Sequence, residues 1–346
     1  MFYWKYELTK ASDILVRELF NVKKNEIFVI TADTESDPYV VDATAGAVFS
    51  AGGKPMVVWL PTPPGVSKAA DPGLPVESLT ETLLNADCWV EFNKKWLLYS
   101  TPFTIAIKKN LKMRYMNLTG INVRSMVNCI GRVDYRLMSK LMEKMRYRVE
   151  KTKNIRMTAP NGHDISFDNV PDRPVIRENG YARIGGMHMI AGQVAWTPAL
   201  DTLTGNIVLD GSISPGVGVV KTPVKMKVEK GAILSITGGH EAKAFDVWTK
   251  SFNDPQMRRI AHAGFGFLPN ATLCGNILED QRVWGSTTWG VGSIGAGLLP
   301  PEGVSGSSHS DSVCLNTKVY FDDELLLERG QFIPEDLRKL QKALGR

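Results

Sequence analysis

The chain has 346 residues, of which 43% are hydrophobic and 22% charged, and its formal net charge is +5. These values belong to a globular protein and exclude a collagenous, low-complexity or disordered chain. The length accommodates two domains, each able to bury its own core, and no stretch reaches the roughly 18 apolar residues needed to span a bilayer.

The spacing of apolar residues predicts an amphipathic helix over 8–19, a short strand over 27–31, a small-residue helix over 40–49 and a strand over 56–60. Charged residues from Lys5 to Glu18 interrupt the first helix, so it lacks the apolar run of a signal peptide, and a cytoplasmic protein is expected. A Pro- and Gly-rich loop follows over 61–75, then helices over 79–84, 104–110 and 135–150 and strands over 88–91 and 113–116. This β-α-β punctuation predicts a Rossmann-like parallel α/β domain over 1–153.

Beyond Lys153 the pattern changes. Runs over 155–158, 206–209, 224–228 and 233–237 are separated by Gly, Pro, Asn and Asp, which predicts a mixed, β-rich α+β domain over 154–346. All five histidines lie there, which places the chemistry in this second domain. The segment 333–344 has the alternation of a docking helix.

Cys88, Cys129, Cys274 and Cys314 are far apart and form no C-x-x-C, so reduced thiols are expected rather than a zinc knuckle or a disulfide framework. The densest basic stripe, Arg136, Lys140, Lys144 and Arg148, lies opposite Leu137, Leu141, Met145 and Val149 on one helix. It lacks interleaved aromatic residues, so it reads as a solvated helix face and not a nucleic-acid surface. The match Gly290-x-Gly292-x-x-Gly295 has no room for the helix a dinucleotide site requires, because Pro300 and Pro301 follow at once. His240-Glu241 opens like H-E-x-x-H, but Ala244 stands where the second histidine belongs. No G-x-S-x-G elbow occurs.

One further pattern suggests a metal centre, beside the plain reading of a chance His-x-Asp pair and a helix-start carboxylate. In a strand, His309 and Asp311 project to the same face and can ligate one ion. Glu241, after the Gly238-Gly239 turn at a helix start, is the expected third ligand. One imidazole and two carboxylates resemble the two-histidine, one-carboxylate set that holds non-haem Fe(II) with open positions. His163, in a turn-forming Asn-Gly stretch, and His240, which points away from Glu241 on the helix, are left outside the site.

Four segments, Gly238-Gly239-His240-Glu241-Ala242, Phe252-Asn253-Asp254-Pro255, Ile260 through Gly266 around His262, and Ser308-His309-Ser310-Asp311, together resemble the 2,5-dihydroxypyridine 5,6-dioxygenase family. That family is distantly similar to the thermophilic metallo-aminopeptidases. The resemblance covers roughly the C-terminal half and implies a mononuclear Fe(II) ring-cleaving oxygenase that takes a small hydroxylated aromatic and O2. It also implies a homo-oligomer with no nucleic-acid or membrane partner. By the same resemblance His188 matches the base that handles a ring hydroxyl proton. Tyr99 stands near the place of a substrate-contacting histidine, and His262 either lines the substrate pocket or supports the metal ligands. The alternative is a two-metal aminopeptidase, which the lack of further ligands disfavours.

Overall fold

The computed structural model describes residues 4–346, which divide into two compact units: 4–133 with 178–191, and 134–177 with 192–346. The sequence pattern placed the division at 153/154. The Tyr135–Lys151 helix instead belongs to the second unit, where it buries Met138, Leu141, Met142, Met145 and Val149, while Lys144 and Arg148 pair with Asp336 of the Glu335–Ala343 helix. Among the described residues no helix is long and apolar enough to cross a membrane.

The first unit is a five-stranded, all-parallel sheet in the order Lys54–Leu60, Ile27–Asp33, Cys88–Glu91, Arg114–Asn117, Gly186–Met189. The central strands are buried along their length except at Ile27, as expected where helices cover both faces. Two of its helices start where the sequence supplies caps. Asp37 accepts from the Tyr39 N–H ahead of Pro38–Ser50, and Ser100 accepts from the Phe103 N–H ahead of Thr101–Lys109. Val29, Leu60, Trp89, Phe103 and Tyr115 lie at the heart of one core cluster.

The second unit contains an eight-stranded sheet and a seven-stranded sheet. Val224–Glu229 alternates buried and exposed residues along its length, the signature of a strand with one wet face. Phe167 of the larger sheet packs its ring 6.3 Å from Trp196 and 5.9 Å from Trp289 of the smaller one, so the two sheets share a core. His163 lies in that core. Despite its turn sequence it is 1% exposed, and its Nδ1 accepts from the Val208 N–H; burial lowers its pKa to about 4. All four cysteines are free thiols.

Candidate metal centre

Three adjacent strands of the seven-stranded sheet build the site: Ile260–Gly266, Ser286–Ile294 and Val304–Cys314. Their register sets His262 opposite Gly290, and Gly290 opposite Asp311, in one row across the sheet. His309, two residues before Asp311, shares its face and lies opposite Gly292. The middle strand therefore offers glycine where both outer strands offer ligands. Side chains from outer strands can meet only by crossing above the middle one, and Gly290 leaves that space bare. A Cβ at this position would stand 2.3 Å from the His262 ring.

Over that floor three donor atoms converge. The Nε2 atoms of His262 and His309 lie 3.1 and 3.2 Å from Asp311 Oδ1 and 3.3 Å from each other. The two rings are nearly parallel, at 19°, with centroids 5.3 Å apart. Donors arranged at right angles around a first-row divalent ion, at roughly 2.2 Å each, stand roughly 3.1 Å from one another, so the triangle fits one cation on one face. Among the described residues this is the group of three whose ligand atoms lie within 4.8 Å of one another.

The two imidazoles are oriented by different means. The His309 Nδ1–H donates to the Ser293 carbonyl at 2.8 Å, which fixes the tautomer and leaves the Nε2 lone pair facing the cluster. Ser293 Oγ in turn donates to the Ser308 carbonyl at 3.0 Å, tying the two strands together beside the ligand. His262 Nδ1 is buried without a protein partner. Its ring is positioned by packing on Gly290 and by the Nε2 contact to Asp311, with nothing holding Nδ1.

Burial pushes the Asp311 carboxyl up, but the charges and hydrogen bonds of His309 and His262 outweigh it and hold the group well below the usual carboxylate range. Burial disfavours a charged His309 in the same way, and the Asp311 carboxylate reverses the balance and raises its pKa. The two imidazoles thus hold Asp311 in the ionised form, the form in which a carboxylate can ligate a cation.

The structure brings the expected ligands His309 and Asp311 together and adds His262 to them, while Glu241 is not part of the group. Glu241 opens the His240–Ser251 helix, where backbone N–H groups of Glu241 itself, Lys221 and Thr222 hold its carboxylate ionised. A carboxylate at a helix start has this use without any metal. His188 and Tyr99 lie in the first unit. His188 is on the edge strand Gly186–Met189, its Nε2 2.8 Å from the Ile184 carbonyl, so Nδ1 carries the lone pair; burial lowers its pKa. Tyr99 is 49% exposed with φ of 69°, a costly backbone for a bulky residue, and its ring meets Phe103 edge-on. The sequence held a signal for the place of His262 in Gly290, a bare position between the strands of His262 and Asp311, but reading it requires the register.

A two-unit chain with a parallel α/β sheet and a histidine-histidine-carboxylate centre on a β-rich unit defines the class. The fold is shared with solved structures of 2,5-dihydroxypyridine dioxygenase from Pseudomonas putida (TM-score 0.76, 20% identity, 96% of this chain and 99% of that one) and of the aminopeptidase AmpT from Thermus thermophilus (TM-score 0.73, 12% identity, 96% and 100%). The sequence profile of the 2,5-dihydroxypyridine 5,6-dioxygenase family matches residues 15–334, and the chain belongs to that family. A curated 2,5-dihydroxypyridine 5,6-dioxygenase of Pseudomonas putida is 29% identical over 182 residues, so the alignment spans about half the length of each protein, 48% of this chain and 50% of that one.

Proposed function

We propose that the protein is a mononuclear Fe(II) dioxygenase that opens a hydroxylated N-heteroaromatic ring of the 2,5-dihydroxypyridine type with O2. The observation that carries this reading is the convergence of His262 Nε2, His309 Nε2 and Asp311 Oδ1 within 3.3 Å. Two neutral imidazoles and one carboxylate suit ferrous iron and use one face of its coordination sphere. When bound, iron supplies the positions at which an electron-rich aromatic and dioxygen react.

The chain's own residues set the stage for that chemistry. By accepting a hydrogen bond from Nδ1–H, the Ser293 carbonyl directs the Nε2 lone pair of the neutral His309 ring to the cluster, and Asp311 would neutralise one positive charge of a bound ion. Gly290 keeps the His262 ring in its place. His188, with a pKa below the ordinary imidazole value and a free Nδ1 lone pair, is the proposed acceptor of the ring hydroxyl proton. Tyr99 is the proposed contact to a ring substituent, as a phenol that accepts or donates one hydrogen bond without becoming cationic.

The aminopeptidase reading rests on a shared fold and would need a second cation. Anaerobic reconstitution distinguishes the two. The expected result is about one Fe(II) per chain, oxygen uptake with 2,5-dihydroxypyridine or a related phenol, and no peptide hydrolysis. Two metals per chain with peptide turnover, or tight zinc with no oxygen uptake, would overturn the proposal. His188→Ala should keep the iron and lose turnover.

A further inference from the structure

The Lys54–Leu60 strand is one edge of the five-stranded parallel sheet. Edge strands carry a row of unpaired backbone groups and are usually kept short, charged or covered. This one is apolar on both faces. Met56 is 47% exposed, Val57 37% and Trp59 47%, and on the adjoining Pro38–Ser50 helix Tyr39 and Phe49 are 56% and 75% exposed. With 150–250 Å² per bare aromatic side chain, these five residues present roughly 500 Å². That is more than half of the roughly 800 Å² each partner gives to a standard interface.

The backbone adds a pattern. The Lys54 N–H donates to the Glu26 carbonyl, on the side of the Ile27–Asp33 strand. Alternate residues of a strand turn their N–H and C=O to the same side. Lys54, Met56, Val58 and Leu60 therefore bond inward, and Pro55, Val57 and Trp59 face outward, followed by Pro61 past the strand end. The outward set reads Pro, Val, Trp, Pro, with donors only at Val57 and Trp59, and it is symmetric about Val58.

A symmetric donor pattern is self-complementary. A second copy related by a two-fold axis at Val58 runs antiparallel and sets Val57 opposite the other copy's Trp59, twice. Each pair exchanges both N–H···O=C bonds, and Pro55 faces Pro61 at either end, where the ladder stops. A shift of two residues puts a proline opposite Val57 or Trp59 and leaves each such pair one bond. The side-chain match follows the same register, with an indole over a valine on one face.

Charge agrees with this orientation. Exposed Lys54 and Lys24 mark the start of the edge. At its far end Thr62 bonds Thr34 at 2.8 Å, beside exposed Glu35 and then Asp37. The dyad lays the basic end of one copy against the acidic end of the other.

We propose that this edge docks a second copy of the chain, joining two five-stranded sheets into one continuous sheet through Val57 and Trp59. Isologous pairing of this kind is how closed two-fold dimers form. The full chain at micromolar concentration should sediment as a dimer or a larger even-numbered assembly. Val57→Pro, which deletes one outward donor, and Trp59→Lys, which charges the patch, should each lower that mass at least twofold with an unchanged circular dichroism spectrum. Val58 faces its own copy across the axis at a non-hydrogen-bonded pair, a spacing that suits a disulfide. Val58→Cys, on a Cys274→Ser background to remove the exposed native thiol, should give a cross-linked dimer under mild oxidation. A monomeric wild type overturns the proposal, as does an assembly that keeps its mass in Trp59→Lys and yields no Val58→Cys cross-link.

Discussion

Glu91 in the first unit and Asp311 in the second are acids on strands, and their neighbours give them opposite characters. Around Glu91 stand neutral donors, the Leu97 N–H and the hydroxyls of Tyr115 and Thr119. Burial pushes its carboxyl up to about 7 in spite of them. Around partly buried Asp311 stand two imidazoles, and its carboxyl is held well below the ordinary range in spite of the burial. A carboxyl enclosed by neutral donors completes a local hydrogen-bond network and asks for nothing else. A carboxylate that draws two imidazole nitrogens to one point leaves three donor atoms facing each other, an arrangement that a cation resolves.

The largest effect that can break this contrast comes from the ligands. His262→Ala should abolish stoichiometric metal binding, read by equilibrium dialysis with Fe(II) or Co(II), whereas Glu241→Gln should bind as the wild type does. The reverse result would return the carboxylate at the helix start to the centre and reduce His262 to a supporting role. Gly290→Ala should come next. The added Cβ meets the His262 ring at 2.3 Å, and no partner on Nδ1 anchors the far side of the ring. A loss of about 100-fold in metal affinity is expected, at the upper end of what supporting residues around metal sites contribute. Unchanged affinity in a folded variant would show that packing on Gly290 does not position the ring.

How much of this was legible beforehand depends on the range of each interaction. The helices and strands of the first unit follow local periodicity: the 8–19 and 40–49 patterns correspond to helices there, as the 135–150 pattern does in the second unit. His309 and Asp311 were legible as a pair because an i, i+2 relation is local. The place of His262 was not, because a register spanning strands 47 residues apart in sequence decides it. Glycine was harder to read than helix or strand. Gly238-Gly239 starts the expected helix, but the N–H groups of Glu241, Lys221 and Thr222 that bond the Glu241 carboxylate could not be foreseen from it. Gly290 and Gly292, rejected as a dinucleotide loop, are the unadorned middle of a three-strand row. The Asn161-Gly162 turn likewise concealed a buried His163.

The smallest effect tests the other side of the contrast, where Glu91 titrates within the fold. Its pKa is about 7 in the folded chain against an ordinary 4.5, so between those pH values the folded state keeps a proton that the unfolded chain has released. Stability is then fully present below pH 4.5, falls as pH rises, and stays reduced above 7. The full shift sets a ceiling of roughly 3 kcal/mol, and relaxation around a buried acid brings the expected change to on the order of 2 kcal/mol. Glu91→Gln keeps an acceptor for the Leu97 N–H and offers an amide donor to Tyr115, but it cannot ionise. Urea unfolding at pH 5 and pH 8.5 should therefore show the variant gaining on the wild type by that amount as the pH rises. A difference between the two proteins that is the same at both pH values would mean that Glu91 is already ionised at pH 5, and that neutral donors alone can hold a buried carboxylate as firmly as two imidazoles hold Asp311.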